Sequence, residues 1–140
     1  MPGPVVEADL VVFDHEGRVL LVRTSPNDSW TAPGGPLQDH EYVHAAAARI
    51  ARGALGISFY PQRVLGCYQE ATMDTADNAP GKIKFAVSTT LQPDAARHVN
   101  LRSPEGSEAE LHWWEPPSLL AASDVATSVK NYFSPTPWNK

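Results

Sequence analysis

The stretch that most constrains the fold is residues 34–57, GGPLQDHEYVHAAAARIARGALGI, where a glycine-rich polar loop runs into an alanine-rich segment. Five residues separate Gly35 from Glu41, seven separate Glu41 from Arg49, and Gly56 and Ile57 close the frame. Residues 42–54 hold no proline, and Val43 and Ile50 are the only β-branched residues among them. Helix propensity is therefore high until Gly53 and Gly56 end it. The spacing predicts a loop over 34–41 and a helix over 42–54.

The flanks read as strands. Residues 4–14 (PVVEADLVVFD) and 18–24 (RVLLVRT) are rich in Val and Leu and enclose a polar turn at His15 to Gly17, which predicts a hairpin. Pro26, Asn27 and Asp28 break its second arm. Strand-like runs follow at 57–70, interrupted by Pro61, at 82–91 and at 109–114. A helix over about 118–132 is expected after Pro116 and Pro117, with the tail SPTPWNK extended. Strands, one central helix, more strands and a closing helix make an α/β class, and no repeat or linker divides the chain, so residues 1–140 read as a single domain.

The frame resembles the signature box of the Nudix (MutT-like) family, G-x5-E-x7-R-E-U-x-E-E-x-G-U, with Gly35, Glu41, Arg49, Gly56 and Ile57 in register. The likeness extends over most of the chain, through the DHEGRVLLVR hairpin, the WTAPGG approach and the ELHWWEPPSLL segment. It implies an α/β/α sandwich with a mixed central sheet. It also implies that Glu41 and Arg49 pair to fasten the loop to the helix, that Gly35 and Gly56 shape the backbone around them, and that Gly34, in the same structural box, presents a carbonyl matching a family metal ligand that is too weak alone. Gly35 is expected to let the loop turn tightly, and Gly56 to end the helix.

Where the family places three metal-binding glutamates, this chain has Ile50, Gly53 and Ala54. Family members that hydrolyse nucleoside diphosphate derivatives use those carboxylates to hold Mg²⁺ or Mn²⁺ against the pyrophosphate. Hard cations need oxygen ligands, and the metal neutralises phosphate and activates water. From Tyr42 to Gln69 there is no Asp or Glu at all, so no neighbour on that helix can substitute. No metal and no other cofactor is expected. The replacements form a small apolar face, which predicts a pocket for an uncharged or partly apolar ligand; a collapsed site filled by other side chains stands beside that reading.

A second motif overlaps the first, since residues 40–44 spell H-E-x-x-H. Zinc proteases place both histidines on one helical face, whereas His40 and Glu41 fall in the loop here. His40 and His44 stay as acid or base candidates at a pocket entrance, together with Tyr68, Glu70 and Glu110; a surface role for each histidine is the plainer alternative. Asp74 and Asp77 fall in or before a loop and Glu105 and Glu108 precede the last strand; the resemblance implies that Glu108 or Glu110 could supply a further metal ligand or general base, although solvated loop acids are commoner. Arg23, Lys82 and Lys84 are candidates for contacting a ligand, and alternation equally puts both lysines on one exposed face. Trp114 is a candidate to stack on a ligand, and its neighbour Trp113 must face the other way.

A net charge of −5 with no Lys or Arg run argues against a nucleic-acid polymer or an anionic membrane as partner. No stretch of eighteen apolar residues and no signal-like start occurs, and the lone Cys67 has no second thiol, so a cytoplasmic protein is expected. The expected partner is a small-molecule ligand, and the resemblance implies a homodimer. Three functions stay open: a small-molecule enzyme working without metal in the inherited pocket, a non-catalytic ligand-binding or regulatory module, and a diphosphate hydrolase with substitute ligands.

Overall fold

A hairpin that splays open organises the molecule. In the computed structural model, which describes residues 5–70, 82–101 and 109–133 (with the side chains of 68–70 outside the description), β1 (Val5–Phe13) and β2 (Val19–Arg23) pair next to their turn, at Phe13 and Val19. Farther along they separate, and residues 31–37 fill the gap. Thr31 exchanges backbone hydrogen bonds with Val22 on one side, while Leu10 donates to Pro33 O and Leu37 donates to Val6 O on the other. Within this insert, β3 (Gly34–Pro36) runs antiparallel to β1. Gly-Gly-Pro carries no strand pattern of its own. It becomes a strand because the buried β1 backbone groups need partners.

The remaining strands complete a mixed sheet in the order β4 (Arg63–Glu70), β5 (Lys82–Thr90), β1, β2, β6 (Glu110–Trp114). β1 and β5 are parallel; the other pairs are antiparallel. Ala8, Leu10 and Val12 of β1 pack on one face with Ala46, Ala47, Ile50, Ala51 and Leu55 of α1 (Val43–Leu55). Val11 of β1, with Val19 and Leu21 of β2, packs on the opposite face with Trp30, Leu119, Val125 and Val129. Helices α3 (Pro116–Ala121) and α4 (Thr127–Phe133) cover that second face, giving the α/β/α sandwich. The central strands are apolar on both faces because both faces are buried.

Helix α1 begins one residue later than expected and ends at Gly56, whose φ of +68° is left-handed. The chain then turns Ile57 and Phe59 back into the core. Three expectations are corrected. The strand expected from residue 57 starts at Arg63, because Ile57 to Gln62 cross the sheet end as irregular chain around Pro61. A short helix α2 (Pro93–Arg97), with Pro93 in its first turn, was not expected. The helix expected over 118–132 is two helices, since residues 124–126 are committed to Trp30: its N–H donates to Asp124 O and its carbonyl accepts from Ala126 N. Among the described residues no helix is long and apolar enough to cross a membrane.

Candidate functional site

The loop ahead of α1 is fastened by one ion pair. Arg49 donates from Nε and Nη2 to the two oxygens of Glu41, each at 2.9 Å, and Nη2 also reaches Pro36 O at 2.9 Å. Glu41 Oε1 accepts from Gln38 N at 3.0 Å. The Arg49 hydrogen bonds, and then that backbone N–H, pull the Glu41 carboxyl down to about 2. The pair thus ties β3, the loop and α1 into one unit.

At the three box positions of the next turn, Ile50, Gly53 and Ala54, α1 supplies no polar side chain. Ile50 is 8% exposed, lies in the core, and sits 3.6 Å from where a Cβ on Gly35 would be. Ala54 packs at the border of the same core, and Gly53 opens outward, with nothing within 4 Å of its missing Cβ. Gly35 lies within β3 rather than in a tight turn, and the close approach falls on its neighbour. A Cβ on Gly34 would lie 2.5 Å from Ala8 O and 2.6 Å from Asp9 Oδ1, so Gly34 is the residue that close approach forbids a side chain.

That contact marks the open side of the sheet. A cleft of about 350 Å³ is lined by Glu7, Asp9, Thr31, Gly34, Lys84 and Ser128 among others, on the face that carries α4. Glu7 and Asp9 alternate with the core residue Ala8 along β1, and Lys84 is the register partner of Glu7 across the parallel β1–β5 pair. Asp9 is only 6% exposed, and its Oδ2 accepts a 2.6 Å hydrogen bond from Tyr132 of α4, 123 residues away. A carboxylate taken from water this far needs such donors. The arrangement gives the cleft a fixed carboxylate, an ammonium and hydroxyls, a set able to bind a polar ligand and exchange a proton with it.

The model of the NUDIX domain family matches residues 3–135. The chain belongs to the Nudix family. Its fold is shared with the MutT protein of Methanosarcina mazei Go1 (18% identity, 95% of this chain and 93% of that one, TM-score 0.75). The MutT NUDIX hydrolase of Burkholderia pseudomallei is similar at 19% identity, over 94% and 96% of the two chains, with a TM-score of 0.73. The NUDIX domain of Shewanella oneidensis NrtR, in a cocrystal with ADP ribose, matches at 15% identity over 95% and 86%, TM-score 0.68.

Against the Nudix box, the Glu41–Arg49 pair is formed as the resemblance implies, while the helix face does not fit a divalent metal. A buried aliphatic chain, a hydrogen and a methyl group stand at Ile50, Gly53 and Ala54, none an oxygen donor. Among the described residues no group of three or more His, Cys, Asp or Glu could hold a metal ion. Asp74, Asp77, Glu105 and Glu108 lie outside the described residues. The H-E-x-x-H overlap does not form a zinc face either: His40 sits in the loop at φ +62°, His44 is exposed on α1, and Glu41 is engaged by Arg49.

Of the other sequence candidates among the described residues, Lys84 lines the cleft. Lys82 lies beside it, 4.0 Å from Glu7 Oε2. Arg23 and Glu110 pair with each other at 3.0 Å across β2 and β6, and the Arg23 guanidinium lies 4.4 Å over the Trp30 ring. Trp114 packs edge-on against Trp30 at 5.8 Å on the α3/α4 face, whereas Trp113 packs in the α1 core, the opposite facing that alternation requires. The backbones of Tyr68 and Glu70 pair with Lys84 and Lys82, and their side chains lie outside the description. Glu7, Asp9, Thr31, Ser128 and Tyr132 were not singled out from the sequence. One signal was present: two acidic residues, two apart, inside the apolar run of β1.

Proposed function

We propose that this Nudix chain is a small-molecule enzyme that has given up metal-dependent pyrophosphate hydrolysis and performs metal-independent acid–base chemistry in the cleft between β1, β3, β5 and α4. The observation that supports this reading is Asp9, a buried carboxylate at the cleft wall held by the Tyr132 hydroxyl and pressed against the box loop at Gly34. Asp9 takes a proton from the ligand, and the Tyr132 hydrogen bond fixes the orientation of its carboxylate. The Glu41–Arg49 pair serves this chemistry by holding β3, which forms part of the same wall. A cytoplasmic setting, a single domain and a homodimer belong to this proposal. The test is calorimetry of EDTA-treated protein with Mg²⁺ and Mn²⁺, with and without ADP-ribose. No heat of metal binding up to millimolar, and no phosphate release, is the expected result; micromolar metal affinity or Mg²⁺-dependent release would remove the proposal.

A non-catalytic ligand-binding role is the second reading. The NrtR domain, similar in fold and crystallised with ADP ribose, favours it. Saturable binding without product would select it.

A further inference from the structure

We propose a second ligand site, on the α1 face at the C-terminal end of β5, that takes an uncharged aromatic ring whose edge both donates and accepts hydrogen bonds, as a phenol or a ring lactam does. A groove of about 470 Å³ lies there between residues 56–62, the end of β5 and α2, within the roughly 300–1,000 Å³ range of small-molecule sites. Among the described residues no Asp, Glu, Lys or Arg lines it. The charges adjacent to the lining in sequence are Asp94 and Arg97, which pair with each other at 2.8 Å, and Arg63, which lies outside the lining. A charged ligand would leave water there without a counter-charge, which selects for a neutral one. The site stands apart from the β1–β5 cleft and does not depend on its chemistry.

The apolar wall is firmly mounted. Ile57 and Leu91 belong to the α1 core, with Pro61 and Ala95 beside them in the lining. Tyr60 is 76% exposed, yet the chain that carries it is fixed on both sides: its carbonyl accepts from Thr89 Oγ1 at 2.9 Å, and Gln62 N donates to Ser88 O at 2.8 Å. A tyrosine held this way offers a large ring face at low entropic cost. The polar groups form a complementary pair. His98 Nδ1 lies 2.7 Å from Asp94 O; a carbonyl only accepts, so Nδ1 carries the hydrogen and Nε2 of the neutral ring is an acceptor. Gln62 Oε1 accepts from Thr90 Oγ1 at 3.3 Å, which leaves the Gln62 amide NH₂ to donate. One phenolic hydroxyl, or one lactam edge, gives a hydrogen to His98 and takes one from Gln62 while its ring lies against Tyr60.

The experiment is amide NMR of the full ¹⁵N-labelled chain, titrated to tens of millimolar with phenol, 2-pyridone, benzoate and benzylammonium in turn. Phenol or 2-pyridone is expected to shift the amides of Tyr60, Gln62, Leu91 and His98 saturably, and the two charged rings to bind at least about 10-fold more weakly. Tyr60→Ala removes the ring but keeps the carbonyl that Thr89 holds, and should weaken binding about 3- to 10-fold. His98→Ala, at an exposed position, should weaken it by a similar factor through the lost acceptor, and keeps the test open if Tyr60→Ala does not fold. Binding of phenol alone selects the hydroxyl form and binding of 2-pyridone alone the lactam, and either upholds the class. The proposal is overturned if neither neutral ring shifts these amides, if benzoate or benzylammonium binds as tightly, or if both variants bind like the parent. Shifts centred on Asp9 and Gly34 would overturn it too, by sending the neutral rings to the cleft on the other face.

Discussion

Alanine at Gly34, Gly35 and Gly53 should produce three different outcomes, and the contrast isolates how the box loop seats against β1. At Gly34 the added methyl would lie 2.5 Å from the Ala8 carbonyl and 2.6 Å from Asp9 Oδ1. The first obstacle is backbone of a central strand, so β3 must move away by roughly 1 Å to restore van der Waals contact. That strains the 2.7 Å bond from Leu10 N to Pro33 O. Overpacking of this kind costs about 1–3 kcal/mol and a lost backbone bond about 1 more, so Gly34→Ala should destabilise by about 2–4 kcal/mol. At about 3–5 °C per kcal/mol for a chain of this size, Tm falls by roughly 6–20 °C. Gly35→Ala meets Ile50 Cδ1 at 3.6 Å, an ordinary contact, and should stay within about 0.5 kcal/mol of the parent. Gly53→Ala has open space inside α1 and should stabilise by about 0.5–1 kcal/mol. Urea unfolding of the three variants, comparing midpoints at constant m, measures the series. A Gly34→Ala protein as stable as the parent, or Gly35→Ala as the worst of the three, would refute this account of the loop.

Further outcomes follow from the same geometry. Tyr132→Phe removes the hydroxyl that bonds Asp9 Oδ2 and should cost about 1–2 kcal/mol in urea unfolding, with no loss if Asp9 is neutral or re-solvated. Glu41 has a carboxyl depressed to about 2 from 4.5, so the pair's stabilisation is fully present above pH 4.5 and disappears as pH falls toward 2. The Tm gap between parent and Glu41→Gln should therefore close over that window, and a gap constant from pH 6 to pH 2 would contradict the Arg49 pairing. Placing carboxylates at the open helix face, Gly53→Glu with Ala54→Glu, should create calorimetric Mg²⁺ binding that the parent lacks; equal affinity in both proteins would mean that the metal is held elsewhere.

Elements set by local pattern were legible in the sequence, and those set by tertiary need were not. Helix α1 follows from its alanine content and from Gly56, and the β1–β2 hairpin from two apolar runs around a polar turn. Strand β3 was invisible because Gly34 and Gly35 have no side chains to alternate and Pro36 is a poor strand former; its existence depends on a gap in the β1–β2 hairpin. The break between α3 and α4 was hidden for the same reason, being caused by backbone bonds to Trp30 rather than by a proline or glycine at the break. At the site, the missing carboxylates of the helix were plain, as was the Glu41–Arg49 pair. Asp9 was passed over because an acid in an apolar run looks like a solvent-facing position until α4 is placed across it, carrying Tyr132.

A frame without its metal ligands still has mechanical work to do. Arg49 Nη2 bonds Pro36 O, while Glu41 Oε1 holds Gln38 N, so both flanks of the turn after β3 are anchored to α1 from the α1 side of the sheet. Gly34, two residues from that anchor, lies against Asp9 on the other side. β3 therefore faces both layers: the position a Gly35 side chain would take lies against Ile50 of the α1 core, and Gly34 is the register partner of Asp9, on whose side its own side chain would point. With β3 released, the splayed part of β1 would lose its partners at Leu10 N and Val6 O, and Asp9 would lose the backbone that sets its position. The box residues Glu41 and Arg49 form a loop-and-helix clamp beneath a cleft on the opposite face, a mechanical role that needs no carboxylate at Ile50, Gly53 or Ala54.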